Sequence, residues 1–161
     1  MMDPDNALPR IEVCDWAQAM PSARRVREAV FVVEQQVPIE LEWDEWDAQC
    51  DHALAFSAAN EPVGTARLLP DGHLGRMAVL VPWRGRGIGR ALAGALLARA
   101  RARGFPRIEL HAQTHAAGFY RKLGFREFGE EFEEAGIPHI AMGLDLTPRR
   151  VMPSAQAAEK R

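Results

Sequence analysis

The feature that most constrains the fold is a glycine-rich stretch between an apolar segment and a long amphipathic segment. It reads Arg-Gly-Arg-Gly-Ile-Gly-Arg over residues 84–90 and follows the apolar residues 77–81. Glycine tolerates positive φ and lets a ligand approach the backbone closely. The first turn of a helix presents unpaired N–H groups and the positive end of the helix dipole. The stretch therefore predicts a strand–turn–helix unit whose turn can seat a cofactor that carries a diphosphate.

The segments around this stretch predict a mixed α/β domain. The predicted strands cover residues 11–15, 52–57, 63–69, 74–80, 107–112, 125–128 and 138–146. The predicted helices cover residues 21–33, 87–103 and 115–123. Short turns between the strands that precede residue 84 indicate an antiparallel meander. A helix joins strands 74–80 and 107–112, so a right-handed crossover should make these two strands parallel.

Length and charge bound the class of protein. The chain has 161 residues, of which 47% are hydrophobic, and its net charge is −2. We expect a flexible leader over residues 1–10, one domain over residues 11–147 and a flexible tail over residues 148–161. The charge gives no case for a nucleic-acid partner, and neither a signal peptide nor a membrane-spanning run is evident. We therefore expect a cytoplasmic protein that binds neither nucleic acid nor membrane.

The cysteines and histidines form no motif for metal binding or nucleophilic catalysis. Cys14 and Cys50 are far apart in the sequence and are most simply free thiols. Neither a CxxC pair nor a Cys/His cluster with zinc spacing occurs, and the Gly-x-Ser-x-Gly elbow of hydrolases is absent. We expect no metal and no covalent acyl-enzyme.

An acidic stretch over residues 38–51 has two interpretations. Six carboxylates surround Trp43 and Trp46 in what we expect to be a loop, with or without one helical turn. Charge runs are usually solvated, so the stretch can be an acidic surface that the tryptophans fix to the domain. Alternatively, it is a lid that attracts a cationic substrate.

Two motifs identify a family by resemblance. The glycine-rich stretch lacks the Walker lysine, and Arg90 stands where a Rossmann motif needs its third glycine or alanine. Instead, Arg84-x-x-Gly87-x-Gly89 resembles the acetyl-CoA motif of the GNAT N-acetyltransferase superfamily. Residues 113–125 resemble its second signature, Asn-x-x-Ala-x-x-x-Tyr-x-x-x-Gly-Phe, with Gln113 in place of asparagine. Residues 30–35, 75–79, 111–113 and 134–139 are similar to a bacterial subgroup of ElaA/YjcF type.

This resemblance implies a fold and a cofactor. The fold is an α/β (α+β) GNAT fold, a mixed and mostly antiparallel sheet of six or seven strands with helices on both faces. The two central parallel strands splay apart in a V, and the pantetheine arm of acetyl-CoA lies in the gap. Arginine side chains in the glycine-rich stretch can pair with phosphate oxygens. The cofactor-binding residues implied are Met77, Ala78, Val79, Arg84, Gly85, Arg86, Gly87, Ile88, Gly89, Arg90, Gln113, Phe119 and Tyr120.

The resemblance also implies catalytic roles. Tyr120 lies beside the cofactor sulfur as a general acid toward the leaving thiolate. Proton transfer from an ordinary phenol to a thiolate is uphill by roughly 2 kcal/mol, so Tyr120 can instead act as a hydrogen-bond donor. A backbone N–H near Val79 faces the thioester carbonyl and stabilises the oxyanion.

The acceptor amine needs a base or a water chain to remove its proton. The candidates are Glu34, His52, His73, Glu109, His111, Glu133, Glu134 and His139. We favour His111 and His139 as catalytic residues, followed by Glu34. The substrate-binding residues expected are Glu34, Gln35, His111, Glu134 and His139.

We therefore predict an N-acetyltransferase that moves an acetyl group from acetyl-CoA to a small primary amine by direct attack in a ternary complex. The alternatives are a non-catalytic acyl-CoA-binding module on the same fold and a transferase of longer acyl groups. The acidic stretches at residues 38–51 and 130–134 favour a cationic or peptide amine. The arginines equally favour a phosphorylated amino sugar, since glucosamine-phosphate acetyltransferases are another similar group. A homodimer is also compatible with the sequence.

Overall fold

The structure is a computed structural model that describes residues 9–146. Its central feature is one seven-stranded sheet with the order β1-β2-β3-β4-β5-β7-β6. Its strands are β1 (Arg10–Cys14), β2 (Asp51–Phe56), β3 (Pro62–Leu68), β4 (His73–Val79), β5 (Arg107–Gln113), β6 (Arg126–Glu134) and β7 (Ile137–Asp145). Its α-helices are α1 (Trp16–Arg27), α2 (Ile39–Glu42), α3 (Ile88–Ala102) and α4 (Ala117–Lys122). The predicted tail and most of the predicted leader lie outside the described residues, but Arg10 already belongs to β1. Within residues 9–146, no helix is long and apolar enough to cross a membrane.

The strand pairing confirms a mixed, mostly antiparallel sheet. Strands β1 to β4 form the predicted antiparallel meander, and β7 pairs antiparallel with both β5 and β6. The pair β4–β5 is parallel, as the crossover through α3 predicts. Only His73 and Leu74 of β4 pair with β5, opposite Glu109 and Leu110. The two strands then diverge, which is the predicted V-shaped splay.

Helices cover both faces of the central strands. Side chains alternate across β2, so Leu54 packs on one face against Ala19 and Ala23 of α1. On the other face, β2 contributes to the main core together with Leu92 and Leu96 of α3. Every residue of β3 is buried, as a strand with helices on both sides requires.

A β-bulge in β4 lies next to the point of divergence. Thr65 pairs with Ala78 and Arg67 pairs with Gly75, so β4 has one more residue than β3 between these two pairs. Arg76 lies within the bulge and adopts φ 49°. A bulge bends its strand and increases the local twist. The bulge follows directly after Leu74 and Gly75, where the pairing of β4 with β5 has ended.

The first helix begins earlier than its sequence predicts. Pro21 was expected to open it, because proline is favoured in the first helical turn. Instead α1 begins at Trp16, where the side chain of Asp15 accepts a hydrogen bond from the N–H of Gln18 at 3.1 Å. The N-cap carboxylate thus decides the start, and Pro21 lies inside the helix. After α1 the chain continues as a π-helical segment, Glu28–Glu34.

Neither interpretation of the acidic stretch 38–51 is right for its central carboxylates. The stretch contains α2 and a 3-10 helix, Glu45–Gln49, and its side chains Glu42 and Asp47 are each only 3% exposed. Both are paired with Arg27 of α1, which is 1% exposed. The nitrogen–oxygen distances are 3.3 Å to Glu42 and 2.9 Å to Asp47. These carboxylates are therefore internal ion-pair partners.

Two further arginines complete this buried ion network. Arg67 of β3 contacts Asp44 at 2.7 Å and Asp47 at 2.8 Å. Arg76, in the bulge of β4, contacts Glu42 at 3.1 Å and Asp44 at 3.3 Å. Three arginines from α1, β3 and β4 thus hold three carboxylates of the acidic stretch. The network fixes the stretch to the α1 side of the sheet.

Replacing Arg27 by methionine should destabilise the fold strongly. Arg27→Met keeps an apolar stem but removes one of the two arginine partners of each buried carboxylate, Glu42 and Asp47, so we expect a loss of about 3–5 kcal/mol in the free energy of unfolding. Urea unfolding followed by circular dichroism measures this loss. Arg121→Met is the matched control, because Arg121 pairs with Glu127 on the surface and should cost less than about 1 kcal/mol. Equal losses in the two variants would contradict a dominant role for the buried network.

Candidate active site

A cleft of about 1410 Å³ opens where β4 and β5 diverge. Most of the residues implied for the cofactor line it, namely Met77, Val79, Arg84, Gly85, Gly87, Ile88, Gly89, Arg90, Gln113, Phe119 and Tyr120. Two of the implied residues do not line it. Ala78 is buried in a cluster with Val26 and Val30, and the guanidinium of Arg86 lies 4.8 Å from the ring centre of Trp83.

The glycine-rich turn forms one end of the cleft. Gly85 and Gly87 adopt φ 77° and 82°, where a side chain is strained, so glycine is required by the backbone itself. Gly87 is the N-cap of α3 and makes no side-chain cap hydrogen bond. The first-turn N–H groups of α3 therefore remain available to an anion, and the helix dipole favours negative charge there. This geometry fits a diphosphate group.

The free edge of β4 forms a wall of the cleft. The N–H of Leu80 donates to the C=O of Val63 at 2.9 Å, so Leu80 is hydrogen-bonded to β3. Backbone groups alternate in direction along a strand, and those of Val79 therefore point to the side of β5. Because β5 pairs with β4 only at His73 and Leu74, this edge is open to an extended ligand.

Tyr120 lies on α4 beside this edge. Its hydroxyl donates a long hydrogen bond to the sulfur of Met77 at 3.7 Å. The rings of Phe119 and Phe125 pack against it edge-on, with centroid distances of 5.0 and 5.9 Å. Burial raises the pKa of Tyr120 to about 12. The phenol is thus protonated at neutral pH and can donate a hydrogen bond into the cleft.

The other end of the cleft holds two histidines around Phe132. His111 of β5 and His139 of β7 both line the cleft, with ring centroids 5.0 and 5.9 Å from that of Phe132. Nδ1 of His111 lies 3.0 Å from a carboxylate oxygen of Glu134, and Nδ1 of His139 lies 2.6 Å from the C=O of Ile137. These oxygens only accept hydrogen bonds, so Nδ1 carries the proton in each ring. In that tautomer Nε2 is the acceptor atom of each ring.

The remaining base candidates differ in position. His73 lines the cleft, with its ring centroid 6.1 Å from that of His111. Glu109 is paired with Arg107 at 2.9 Å. His52 is buried beneath the acidic stretch, where its Nε2 lies 2.9 Å from the C=O of Asp47. His52, Glu109 and Glu133 are not part of the cleft lining.

The end of the π-helical segment meets both diverging strands. Glu34 forms two hydrogen bonds with Arg84, which follows β4, at 2.6 and 2.8 Å. Gln35 exchanges amide hydrogen bonds with Gln113, the last residue of β5, at 2.9 and 3.3 Å. The longer side chain at position 113, where the resemblance expects asparagine, thus contacts Gln35. These four residues form what we call the cleft bridge.

The sequence did not indicate the contacts between these residues or the packing of Phe132 against His111 and His139. Glu34 and Arg84 are 50 residues apart, and Gln35 and Gln113 are 78 residues apart. The predicted strand 125–128 ends before the acidic stretch 130–134, but β6 continues to Glu134 and places Phe132 opposite His139.

Comparisons with known proteins agree with this geometry. The family profile of the acetyltransferase (GNAT) domain matches residues 19–146. The chain is 40% identical over 132 residues to the N-acetyltransferase YjcF of Bacillus subtilis, covering 80% of this chain and 94% of YjcF. It is 32% identical over 130 residues to ElaA of Escherichia coli, covering 76% of this chain and 84% of ElaA.

Solved structures show the same architecture. The crystal structure of Escherichia coli ElaA superposes with a TM-score of 0.75 at 29% identity, over 84% of this chain and 99% of that chain. An acyl-CoA N-acyltransferase from Pseudomonas aeruginosa superposes with a TM-score of 0.74 at 29% identity, over 84% of this chain and 98% of that chain. The overall fold is thus shared with both proteins.

The glycine-rich turn should be sensitive to a single methyl group. A Cβ at Gly87 would meet no atom within 4 Å, but its φ of 82° strains an alanine, so Gly87→Ala should cost about 1–2 kcal/mol of unfolding free energy. Gly94→Ala is the control, because Gly94 lies inside α3 with equally open space and should gain about 0.5–1 kcal/mol. Urea denaturation of both variants measures the difference. A stabilised Gly87→Ala variant would show that the positive φ is not required.

Proposed function

We propose that this chain, which belongs to the GNAT acetyltransferase family, transfers an acetyl group from acetyl-CoA to the primary amine of a small molecule. Family membership makes it an N-acetyltransferase that uses an acyl-CoA donor. The choice of acetyl as the acyl group and of a small amine as the acceptor is our proposal. The observation that supports it best is a single cleft that joins the glycine-rich turn, Tyr120 and two histidines.

The donor binds along residues that the cleft already presents. The N–H groups of the glycine-rich turn and the first turn of α3 hold the diphosphate. The open edge of β4 around Met77 hydrogen-bonds the extended pantetheine arm. Bound acetyl-CoA supplies a thioester, whose carbonyl carbon takes the amine and whose thiolate leaves.

The backbone at Val79 stabilises the developing oxyanion. Its N–H points into the gap between β4 and β5, because the neighbouring Leu80 is the residue bonded to β3. A fixed N–H aimed at the place where negative charge develops is worth about 10²–10³ in kcat, as removal of single oxyanion donors in other enzymes shows. The bulge at Arg76 sets the direction of this segment.

Tyr120 donates a hydrogen bond to the leaving thiolate. With the pKa of Tyr120 at about 12, full proton transfer to a thiolate is uphill by roughly 5 kcal/mol, taking the thiol pKa as about 8.5. A donated hydrogen bond stabilises the anion without that transfer. The raised pKa thus favours the donor role over the general-acid role.

His111 takes the proton from the attacking amine. The Glu134 carboxylate accepts a hydrogen bond from Nδ1–H of His111, so it orients the ring and stabilises the imidazolium that forms. His139 has only a neutral carbonyl at the same position, which suits a residue that positions the acceptor. The amine attacks directly in a ternary complex. No cysteine lines the cleft, and burial raises the pKa of Cys50 to about 12, so its thiol is not a nucleophile.

The acidic residues constrain the acceptor less than the sequence suggests. Glu42, Asp44 and Asp47 are paired with arginines, Glu34 is paired with Arg84, and the Glu134 carboxylate is hydrogen-bonded to His111. We therefore base the acceptor class on its reactive amine alone and leave its charge to experiment.

Calorimetric titration with CoA and acetyl-CoA tests the proposal. We expect binding at micromolar to submillimolar concentration, followed by thiol release when a panel of polyamines, amino acids and amino sugars is added. Absence of binding at millimolar acetyl-CoA would contradict the assignment. Binding without amine-dependent thiol release would instead indicate a non-catalytic acyl-CoA-binding module, and a preference for longer acyl-CoA would correct the acyl group.

Two substitutions separate the roles of the polar side chains. Tyr120→Phe should lower kcat about 10- to 100-fold by removing a hydrogen bond to a charged group, with CoA affinity unchanged. His111→Gln should lower kcat about 100-fold or more if His111 is the base, and His139→Gln should lower it less. Steady-state kinetics with the best amine of the panel measures both. Full activity of Tyr120→Phe, or a larger effect at His139 than at His111, would contradict these assignments.

A further inference from the structure

The side chain of Arg84 is engaged by groups on two different elements. Its Nε donates to the C=O of Val79 at 2.9 Å. Its two terminal nitrogens donate to the two carboxylate oxygens of Glu34, at 2.8 and 2.6 Å. All three guanidinium nitrogens thus donate hydrogen bonds, one to a backbone carbonyl and two to a carboxylate. Only arginine can make this arrangement, because a lysine ammonium lacks the rigid fork.

The position of Val79 gives this contact its significance. Its C=O and N–H both point into the gap between β4 and β5, because Leu80 is the residue bonded to β3. Since β5 does not pair with β4 at this level, no neighbouring strand holds the peptide groups of Val79. The Arg84 side chain supplies a fixed partner at its carbonyl.

Glu34 is itself held from a second direction. The next residue, Gln35, exchanges two amide hydrogen bonds with Gln113 at the end of β5. The cleft bridge therefore spans from the end of β4 to the end of β5. The hydrogen bonds from Arg84 also hold the pKa of Glu34 below its usual value. Glu34 is thus a persistent anion and a poor base, which suits an anchor.

From this geometry we propose that Arg84 is a positioning residue for acyl transfer. It fixes the free edge of β4 at Val79 against Glu34, so that the Val79 N–H keeps its direction toward the reacting carbonyl. Phosphate binding is left to the backbone N–H groups of the glycine-rich turn. The proposal rests on the function proposed above.

The assignment predicts a separation of binding from turnover. A side chain that only binds a phosphate of CoA stabilises the ground state and the transition state equally, so its loss weakens CoA binding. A residue that orients an oxyanion donor acts mainly in the transition state, so its loss lowers kcat. Glu34→Gln and Arg84→Lys both disturb the contact without creating a cavity in the core, because both side chains are more than one third exposed.

The experiment compares Arg84→Lys, Glu34→Gln and the double variant with the wild type. Calorimetry gives the Kd for CoA, and thiol release from acetyl-CoA gives kcat, with the best amine of the panel or with water as the acceptor. We expect Arg84→Lys to lower kcat about 10-fold or more while the Kd for CoA changes less than about threefold. Because both residues act in one contact, the double variant should be no slower than the slower single variant by more than about twofold.

The structure of the CoA complex provides a second, independent readout. We expect Arg84 to remain within hydrogen-bond distance of Glu34 and of the Val79 C=O when CoA is bound. A guanidinium that moves onto a phosphate oxygen, a Kd for CoA raised 10-fold or more by Arg84→Lys, or an unchanged kcat in both single variants would each overturn the proposal.

A matched control excludes a general effect of replacing an exposed arginine. Arg10 pairs with Glu12 at 2.7 Å on β1, and Arg10→Lys should leave both kcat and the Kd for CoA unchanged. Failure of the wild type to bind CoA would contradict the proposed function itself. Normal binding and turnover by the wild type, with no separation in the variants, would remove only the role of Arg84.

Discussion

The fold around the cleft depends on the buried ion network between Arg27, Arg67 and Arg76 and three carboxylates of the acidic stretch. Burying such charges is costly, and it is tolerated only when each charge finds opposite partners and hydrogen bonds. Burial raises the pKa of Glu42 even with Arg27 and Arg76 beside it. The network therefore holds the acidic stretch against α1, β3 and β4.

The network also contacts β4, the strand that forms one wall of the cleft. Arg76 has φ 49° within the bulge of β4, a conformation that costs a non-glycine residue about 1–3 kcal/mol. Its ion pairs with Glu42 and Asp44 help to offset that cost. The bulge follows the last residues of β4 that pair with β5, and the cleft lies beyond that point. A charge network on one side of the sheet thus supports an opening along its middle.

Polar side chains within and beside the cleft are arranged in local pairs that share little with one another. Arg84 pairs with Glu34, His111 with Glu134, and the Tyr120 hydroxyl with the sulfur of Met77. Each pair fixes the direction of one donor or acceptor before any ligand arrives. Preorganised groups of this kind need little rearrangement during reaction, which is the main physical route to electrostatic catalysis.

The sequence by itself determined the glycine-rich turn, the meander, the α3 crossover and the spacing from Gly87 to Tyr120. Each of these features is a pattern of residue types or a spacing along the chain. The sequence therefore indicated the family and most residues of the cleft lining. The tertiary structure alone decided the pairing of the acidic stretch with Arg27, Arg67 and Arg76, the bulge at Arg76 and the contacts of Glu34 and Gln35. Those depend on contacts that form only when the chain folds, because a carboxylate is the same residue in the sequence whether water or a buried arginine will face it.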